Sequence, residues 1–446
     1  WVAKGFSQKK GIDYSETFAP TAYSTSIRTL LATATARGMH IQQMDVATAF
    51  LNAPIDHTIF VEPPSVPDLF FFPDDCVLSL KRGLYGLKQS PRLWNECLHE
   101  WLSSEGLQRT ESDSCIYHRR CTFGYLWVAV YVDDLLIFAD DSSVMADFKA
   151  KISSRFKMKD LGDPDLCLGV KIVYDRTART LTLSQEHYLR NVLESFGMVD
   201  CKHVGTPLAT GYVDEMPSLS DSYTPPDVPF RALMGSLLYA ATMTRPDIST
   251  GVSMLCRHMK NFTMAHWTHA KHLLRYIKGT IQYRIKYDGS VPPHLFAYSD
   301  ASYAADMTTS RSRTGYIIFR SGGPVSWNSK LQATVALASA DAEYMAMSAT
   351  AQETIFIRQL LEELFGDLFT RPTLVLTDNQ PALHVANRSA TRMRHIRVRY
   401  HFIRQCVGDG TVLVRYCQTD LMVADLLTKI LGKPKTVQFS NMIFRD

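Results

Sequence analysis

The chain alternates short apolar runs with amphipathic stretches, and two acids interrupt one of the apolar runs. In VAVYVDDLLIFAD, residues 128–140, two segments typical of buried strands are separated by Asp133 and Asp134. Asp is a common turn residue, so this pattern fits the solvated tip of a β-hairpin. Two adjacent carboxylates near a core destabilise the fold unless their repulsion is offset. A functional site that binds a positive charge is therefore the alternative to a simple hairpin tip.

The remaining patterns predict at least two folded regions. Residues 1 to about 160 mix apolar runs with helical patterns, as in an α+β domain. Ser65–Asp75 is predicted to be a Pro-punctuated loop, and Pro207–Pro229 a linker without a core of its own. Helices are predicted over residues 230–262 and 266–280, with a Thr-Arg-Pro break inside the first stretch. From about Leu295 onward, the order strand, strand, helix, strand, helix, strand, helix predicts a second α/β unit.

Composition places the chain among ordinary globular proteins. Its 446 residues suffice for roughly two to four domains. A net charge of +4 fits nucleic-acid binding without demanding it. No apolar stretch is long enough for a membrane helix, so no membrane partner is expected. The nine cysteines follow no pattern, which favours reduced thiols in an intracellular setting over zinc or disulfides. The chain opens mid-pattern at Trp1 and is expected to be a piece of a longer protein.

A third acid can join the first two. Asp45, in MHIQQMDVATAFLNAPI, ends a strand-like run and precedes a helix-like one. A fold can bring it beside Asp133 and Asp134 on adjacent strands. Such a set needs a counter-charge, and Mg²⁺ prefers oxygen ligands while keeping positions open for phosphate. Two such ions can activate a 3′-hydroxyl and stabilise a leaving pyrophosphate. Taken singly, Asp45 is better explained as a helix N-cap or a first-turn acid.

Four stretches resemble the copia-type LTR retrotransposon Pol polyprotein: VAKGFSQKKGIDYSETFAP, DVATAFLNAPI, LKRGLYGLKQSPRLW and YVDDLLIFADD. YVDD between apolar strands, preceded by DVATAF, is similar to the catalytic palm of a reverse transcriptase. The resemblance implies that Asp45, Asp133, Asp134 and the backbone carbonyl of Val46 are metal ligands. It also implies that Phe50 packs under the sugar and rejects a ribose 2′-hydroxyl; a core Phe on an amphipathic helix is the alternative.

The stretch GLYGLKQSPRLW is a Gly-rich loop that carries Lys88 and precedes a helix. Such a loop can bind a phosphate group, but a Gly-rich loop alone is not specific evidence for phosphate binding. The resemblance places a template- and nucleotide-contacting loop here, so Lys88 and Gln89 are substrate-binding candidates. Leu168 lies where the family has a primer-gripping hairpin, and core packing explains it equally well. The family has basic residues before VAKGF, so the fingers are expected to be truncated at the N-terminus.

A second set of acids follows the later strands and helices. Asp300 and Asp378 end strand-like runs, Glu343 stands near the start of a long amphipathic helix, and Asp425 lies on a short helix. In α/β sheets, sites form at the carboxyl ends of strands. Taken alone, each of these acids is explained as a helix-capping residue or as a solvent-exposed charge. Their order, with ASADAEYMAMSATAQE, TDNQPALHVAN, RHIRVRYHFIR and TDLMVADLLTKIL, resembles a copia-type ribonuclease H.

This second resemblance implies that the four acids hold two Mg²⁺ ions, with Mn²⁺ as an alternative ion, and hydrolyse the RNA of an RNA–DNA hybrid. Arg394 and Arg399 are candidates for contacts to the nucleic-acid backbone, with a solvated basic helix face as the alternative. Several ribonucleases H have a His near the fourth acid, but Gln418, Thr419 and Asp420 occupy that place here, so none is assigned. His266, His269 and His272 are expected to make helix-face contacts rather than bind metal.

The expected fold is a multidomain α+β and α/β protein with a right-hand polymerase palm, fingers and thumb, a helical connection and a ribonuclease H-like α/β domain. The expected limits are 1–165 for fingers and palm, 166–206 for a thumb-like continuation, 207–290 for linker and connection, and 291–446 for the ribonuclease H-like domain. The resemblance places the protein in a cytoplasmic virus-like particle, with the nucleus as the alternative.

The predicted activities are RNA-directed DNA polymerase and hybrid ribonuclease. The implied partners are an RNA template, a DNA primer, the RNA–DNA hybrid and deoxynucleoside triphosphates. A catalytically inactive remnant that still folds and binds nucleic acid is the alternative, since Ala53 stands where the family usually has Gly. An RNA-templated RNA polymerase is disfavoured by Phe50 and by the second set of acids.

Overall fold

In the computed structural model the chain forms two compact units, residues 1–23 with 39–164 and residues 24–38 with 165–446. The structure describes residues 2–64, 72–73, 75–212, 223–366, 369–387 and 397–444, without the side chains of residues 397–401. Most of the predicted loop at 65–75 and the middle of the predicted linker therefore lie outside the described residues. The limits of the four domains stay predictions.

The helices and strands are numbered in chain order over the described residues. The α-helices are α1 (Ser24–Arg37), α2 (Ser90–Ser104), α3 (Ser142–Arg155), α4 (Glu186–Ser195), α5 (Phe230–Met243), α6 (Ser249–Cys256), α7 (Met264–Gly279), α8 (Ser339–Phe365), α9 (Gln380–Asn387), α10 (Arg397–Gly408) and α11 (Lys433–Ile443). The strands are β1 (His40–Val46), β2 (Phe60–Val61), β3 (Leu78–Ser79), β4 (Gln108–Arg109), β5 (Ile116–Cys121), β6 (Gly124–Tyr131), β7 (Asp134–Ala139), β8 (Met158–Gly162), β9 (Leu166–Cys167), β10 (Val170–Asp175), β11 (Thr180–Ser184), β12 (Ile285–Asp288), β13 (Phe296–Ser302), β14 (Arg313–Arg320), β15 (Gly323–Leu331), β16 (Thr373–Thr377) and β17 (Val412–Tyr416). Short 3-10 helices cover Gly5–Ser7, Ala49–Asn52, Pro246–Ile248, Thr419–Leu421 and Val423–Leu427.

The first unit is built on a six-stranded antiparallel sheet with the order β4-β5-β6-β7-β1-β8. The apolar runs on both sides of the acid pair form β6 and β7, as the sequence predicts, and their central residues are buried. Trp94 of α2 and Phe148 of α3 pack into one core with residues of this sheet. Each fully buried side chain of this size contributes about 1.5–3 kcal/mol. This packing stabilises the sheet, and the sheet in turn positions the turn between β6 and β7.

The helices α4 to α7 of the second unit share one core, which confirms the helices predicted on both sides of the Thr-Arg-Pro break. An antiparallel sheet with the order β12-β11-β10-β9 lies in the same unit. Leu208 is buried in the helical core, although the sequence places it in a linker without a core. The prediction was wrong for this residue, because one apolar side chain in a polar stretch is enough to anchor the backbone.

The C-terminal part of the second unit contains a five-stranded sheet with the order β15-β14-β13-β16-β17. Three strands precede α8, rather than the two predicted, because β14 and β15 form an antiparallel hairpin. The strands β13, β16 and β17 are parallel neighbours, so their carboxyl ends meet at one edge of the sheet. Of the helices that the structure describes, none has the combination of length and apolar character needed to cross a membrane.

Candidate functional sites

Strand pairing brings the first three predicted acids to the same end of the six-stranded sheet. Asp45 of β1 and Asp134 of β7 are direct partners in the antiparallel register, so their side chains project from the same face. Asp133 lies in the two-residue turn between β6 and β7, since Tyr131 pairs with Asp134. The hairpin tip and the acid site are therefore the same feature, and the two sequence interpretations do not exclude each other.

The turn is held in a strained conformation. Val132 has a φ of 57°, a left-handed conformation that a β-branched residue rarely adopts. Two hydrogen bonds fix it: Trp94 Nε1 donates to the Val132 carbonyl over 2.8 Å, and the Val46 amide donates to the Asp133 carbonyl over 2.9 Å. Strain of this kind persists only where the surroundings over-determine the backbone, as at many functional sites.

Neighbouring polar groups orient the two adjacent carboxylates. The Tyr85 hydroxyl donates to Oδ2 of Asp133 over 3.0 Å, and Gln43 Nε2 donates to Oδ1 of Asp134 over 3.1 Å. Oδ1 of Asp133 is buried without a hydrogen-bond partner. Burial raises the pKa of Asp133 and of Asp134, and the nearby Asp45 adds to the rise. A buried carboxylate oxygen without a partner, among like charges, is suited to a cation.

Phe50 lies close to this turn, on an element that the sequence did not predict. The residues after Asp45 form the 3-10 helix Ala49–Asn52 rather than an amphipathic α-helix. Thr48 before it has a φ of 54°, and Pro54 follows, so an α-helix cannot extend in either direction. The Phe50 ring is half-buried and its centroid lies 4.5 Å from that of Tyr85.

The candidates in the Gly-rich loop contact the N-terminal segment of the first unit. Lys88 Nζ donates to the Gln8 carbonyl over 3.1 Å. Gln89 is fully buried; its Nε2 donates to the Asp13 carbonyl over 2.8 Å and its Oε1 accepts from Gln8. A Cβ at Gly86, whose φ is +96°, would lie 2.0 Å from a backbone carbonyl, so glycine is required for this close approach. The two hydrogen bonds of the buried Gln89 side chain connect the Gly-rich loop to the N-terminal segment, so Gln89 has a structural role in this structure.

The second set of acids meets at the carboxyl edge of the five-stranded sheet. Tyr298 of β13 is level with Leu376 of β16 in the parallel register, and two residues further along each chain stand Asp300 and Asp378. Glu343 joins them from the first turns of α8. One carboxylate oxygen from each of the three acids lies within 4.8 Å of the others. Asp300 lies inside β13, two residues before its end, and not at the end as predicted.

This trio of carboxylates has the properties of a divalent-cation site. Asp300 and Glu343 are buried, and Oε2 of Glu343 has no hydrogen-bond partner. Burial raises the pKa of Glu343, and the negative charges of Asp300 and Asp378 raise it further. Oxygen ligands at this spacing, with one buried oxygen left unpaired, fit a hard cation such as Mg²⁺ or Mn²⁺. Asp45, Asp133 and Asp134 do not form such a trio within the described part of the chain.

The fourth acid is tied to the trio by a lysine. Asp425 lies on the 3-10 helix Val423–Leu427, as predicted. Lys429 Nζ lies 2.6 Å from Oδ1 of Asp425 and 3.2 Å from Oδ1 of Asp300. Burial alone would lower the pKa of Lys429, but the two carboxylates raise it well above its ordinary value. Burial and Asp300 raise the pKa of Asp425. The Thr428 hydroxyl also donates to Asp300.

Sequence reasoning missed several residues that contact the acids of these sites, among them Gln43, Tyr85, Thr428 and Lys429. Lys429 follows Asp425 by four residues, and this spacing indicates a local ion pair. Lys429 could therefore have been predicted from the sequence. Tyr85 gives no such signal, because its partner Asp133 is 48 residues away. Thr419 also contacts the site, since its hydroxyl donates to Oδ2 of Asp378 over 3.0 Å.

Of the two predicted arginines, Arg394 lies outside the described residues, and Arg399 lies on α10 with its side chain undescribed. The predicted helix-face contacts of the histidines are confirmed. His266 Nδ1 accepts from the Thr263 amide in a capping box, and His272 Nε2 lies 3.0 Å from the Thr206 carbonyl. The ring of His269 packs against Tyr212.

Comparison with known proteins agrees with the resemblance in the motifs. A family model described as reverse transcriptase (RNA-dependent DNA polymerase) matches residues 1–210. A putative transposon Ty5-1 protein of Saccharomyces cerevisiae is 35% identical over 70% of this chain and 100% of its own length. The chain belongs to the family of copia-type retrotransposon Pol polyproteins. The predicted family is thereby confirmed.

The longer relatives in this family extend well beyond the chain. The Retrovirus-related Pol polyprotein from transposon TNT 1-94 of Nicotiana tabacum is 40% identical over 97% of this chain. The corresponding polyprotein from transposon RE2 of Arabidopsis thaliana is 36% identical over 99%. The chain spans about a third of these relatives, 33% and 30% of their lengths.

Among solved structures, a foamy viral protease-reverse transcriptase in complex with an RNA/DNA hybrid is similar to this chain, with a TM-score of 0.51 and 13% sequence identity. The match covers 90% of this chain and 46% of the foamy viral chain. This likeness concerns the fold alone. The mixed α+β sheets of this chain therefore fit a polymerase-like fold.

Proposed function

We propose that the chain is an RNA-directed DNA polymerase with a second, ribonuclease H active site. The direct pairing of Asp45 with Asp134, beside the strained turn that presents Asp133, is the observation that carries the polymerase assignment in a chain of this family. In this proposal the first unit supplies palm and fingers, residues 166–206 a thumb-like part, and the five-stranded sheet the ribonuclease H-like domain.

The polymerase chemistry follows from the residues of the turn. Divalent ions, two Mg²⁺ in this proposal, would be held by Asp45, Asp133, Asp134 and the Val46 carbonyl, and would supply Lewis-acid stabilisation of the primer 3′-oxygen and the departing pyrophosphate. The chain's own contribution is positioning. The strained turn keeps the Asp133 carboxylate fixed, and the Tyr85 hydroxyl orients it. The Phe50 ring would lie under the nucleotide sugar and exclude a 2′-hydroxyl.

The nuclease chemistry is assigned to Asp300, Glu343, Asp378 and Asp425. The carboxylate trio supports this assignment, because three oxygens within 4.8 Å of one another suit cation-dependent phosphodiester hydrolysis. Burial of Asp300 and Glu343 limits competing water at these carboxylates. The Thr428 and Thr419 hydroxyls orient the acids on which they act, Asp300 and Asp378. The RNA of an RNA–DNA hybrid is the proposed substrate, distinguished by its 2′-hydroxyls.

The proposed partners are an RNA template, a DNA primer, their hybrid product and deoxynucleoside triphosphates. Primer extension on an RNA template with Mg²⁺, followed by a gel that resolves the template fragments, tests both activities in one reaction. We expect an extended DNA and a shortened RNA. A chain that binds the primer–template but gives neither product would be the inactive remnant, and the proposal would then be wrong.

A further inference from the structure

The proposed nuclease site contains a cation of its own. The ammonium of Lys429 lies between the carboxylates of Asp300 and Asp425 and contacts both. Asp300 is thereby shared, because it also belongs to the trio with Glu343 and Asp378. One pair of acids in this four-acid site is thus already bridged by a positive charge, whereas the trio brings three carboxylates together.

We propose that Lys429 is an internal counter-cation on the Asp300–Asp425 side of the nuclease site. The first divalent ion then binds at the trio, and a second ion binds only when it displaces the ammonium. This inference rests on the proposed nuclease function of the same acids. The nuclease site would then hold one divalent ion while Lys429 contacts the two acids. It would hold two divalent ions only when the second ion displaces the ammonium.

The exposure of the three side chains favours displacement of the lysine rather than of the acids. The side chains of Asp300 and Asp425 are 0% and 4% exposed, whereas that of Lys429 is 37% exposed. The Lys429 backbone is fixed by the hydrogen bond from its amide to the Asp425 carbonyl, over 2.9 Å. A rotation about the side-chain bonds is therefore sufficient to move the ammonium to solvent, while the two carboxylates keep their positions.

The same charge has a structural role without metal. Asp300 and Asp425 repel each other in a site with little access to water, and the ammonium relieves that repulsion. An uncharged side chain of similar length would leave the repulsion uncompensated. It would weaken the metal-free fold and would also remove the competitor of the second ion. Stability and ion binding are thus expected to change in opposite directions.

Ion counting with Mn²⁺ tests the proposal on the full chain. The background variant carries Asp45→Asn, Asp133→Asn and Asp134→Asn, so that tightly bound ions belong to the nuclease acids. Electron paramagnetic resonance of free Mn²⁺ and titration calorimetry then give the number and affinity of bound ions. We expect one tight ion in the background and a second that binds about ten-fold or more weakly, because it has to displace a positive charge.

Lys429→Met is expected to tighten the second ion by about ten-fold or more and to lower the melting temperature of the metal-free chain. Lys429→Arg keeps the charge and is the matched control, in which the second ion stays weak. Asp378→Asn should weaken the first ion. Two ions of equal affinity in the background, or a second ion unchanged by Lys429→Met in a folded chain, would overturn the inference.

Hybrid cleavage is measured separately, so the two proposals can fail independently. If Lys429→Met gains a tight second ion but the wild-type chain does not cut the hybrid, the counter-cation stands and the proposed nuclease function is wrong. If the wild-type chain cuts the hybrid while Lys429→Met leaves ion binding unchanged, the function stands and the counter-cation is wrong.

Discussion

The hydroxyl of Tyr85 donates a 3.0 Å hydrogen bond to Oδ2 of Asp133, while its ring packs 4.5 Å from that of Phe50. One tyrosine therefore contacts both the acid turn and the aromatic residue that we propose as the sugar gate. The hydrogen bond lowers the pKa of Asp133 against the larger effect of burial, which raises it. Burial and the bond to Asp133 also raise the pKa of Tyr85 to about 12, so the phenol keeps its proton at neutral pH.

Tyr85→Phe should shift the acidic limb of the primer-extension pH profile to higher pH. Without the hydroxyl the pKa of Asp133 rises further, so a smaller fraction is ionised at a given pH below that pKa. One hydrogen bond of about 1 kcal/mol corresponds to a shift of roughly half to one pH unit. The rate should recover at high pH, because the ring and its packing remain. An equal loss at every pH would show that Tyr85 does not act through the ionisation of Asp133.

Phe50→Val should relax sugar selection. The smaller side chain leaves space below the ribose, so the ratio of ribonucleotide to deoxyribonucleotide incorporation should rise by about ten-fold or more. Single-nucleotide insertion kinetics with each substrate measure that ratio. Phe60, an exposed residue of β2, offers the control Phe60→Val, which should leave the ratio unchanged. If Phe50→Val changes both rates equally, the residue is a packing residue only.

Asp133→Asn and Asp378→Asn should separate the two activities. The first removes a proposed cation ligand from the polymerase turn and should reduce primer extension by about a hundred-fold or more without affecting hybrid cleavage. The second should do the reverse. Both reactions are followed on one labelled primer–template. Loss of both activities from either single change, in a chain that still folds, would rule out two independent sites.

The strands and acids of both sites could be predicted from local patterns, whereas the juxtaposition of the acids could be predicted only through the family resemblance. The apolar runs around Asp133 predict two strands correctly, since alternation and turn residues are local features. The pairing of Asp45 with Asp134 depends on the order of strands in a sheet. A register shift by one residue would put a side chain on the other face, and a single sequence does not determine the register.

The failures of sequence reasoning have similar physical causes. The stretch after Asp45 has a helical pattern, yet the left-handed Thr48 and the following Pro54 leave only a 3-10 helix. Tyr85 and Asp133 meet only because the fold brings separate segments together. Helix α1 belongs to the second unit although it precedes β1, which no local pattern could indicate. The contact of Lys429 with Asp425, in contrast, is local and could have been predicted.

Arg28→Lys should destabilise the second unit by about 2–4 kcal/mol. Arg28, on α1, is buried and donates to the carbonyls of Val325, Thr242 and Met243, while its guanidinium lies 4.0 Å above the Trp327 ring. Lysine cannot supply the same fork of donors, so buried carbonyls lose their partners. Urea unfolding measures the change.

Arg37 on the same helix is exposed, and Arg37→Lys is the matched control with an expected change within about 0.5 kcal/mol. Equal effects of the two substitutions would show that the buried contacts of Arg28 contribute little. A large effect of Arg28→Lys alone would also support the assignment of α1 to the second unit, because all three carbonyl acceptors belong to that unit.

Glu343→Gln should stabilise the metal-free chain, and more so at pH 8 than at pH 5. Burial raises the pKa of Glu343 above its ordinary value of 4.5. Above that value the unfolded chain releases a proton that the folded chain retains, so the stability of the wild-type fold falls as pH rises toward the folded pKa. Glutamine has no proton to release and escapes this loss. We expect a gain of about 1–3 kcal/mol at pH 8 and a smaller gain at pH 5.

Urea unfolding in EDTA at the two pH values measures this difference, with Glu362→Gln on the more exposed part of the same helix as the control. Mn²⁺ should then reverse the order of stability, because a cation that binds the folded wild-type trio stabilises it by mass action, while the Glu343→Gln variant has lost one ligand charge. A pH-independent gain would mean that the introduced glutamine improves packing instead. A gain that Mn²⁺ leaves unchanged would mean that Glu343 is not a cation ligand, since metal would then stabilise both chains equally.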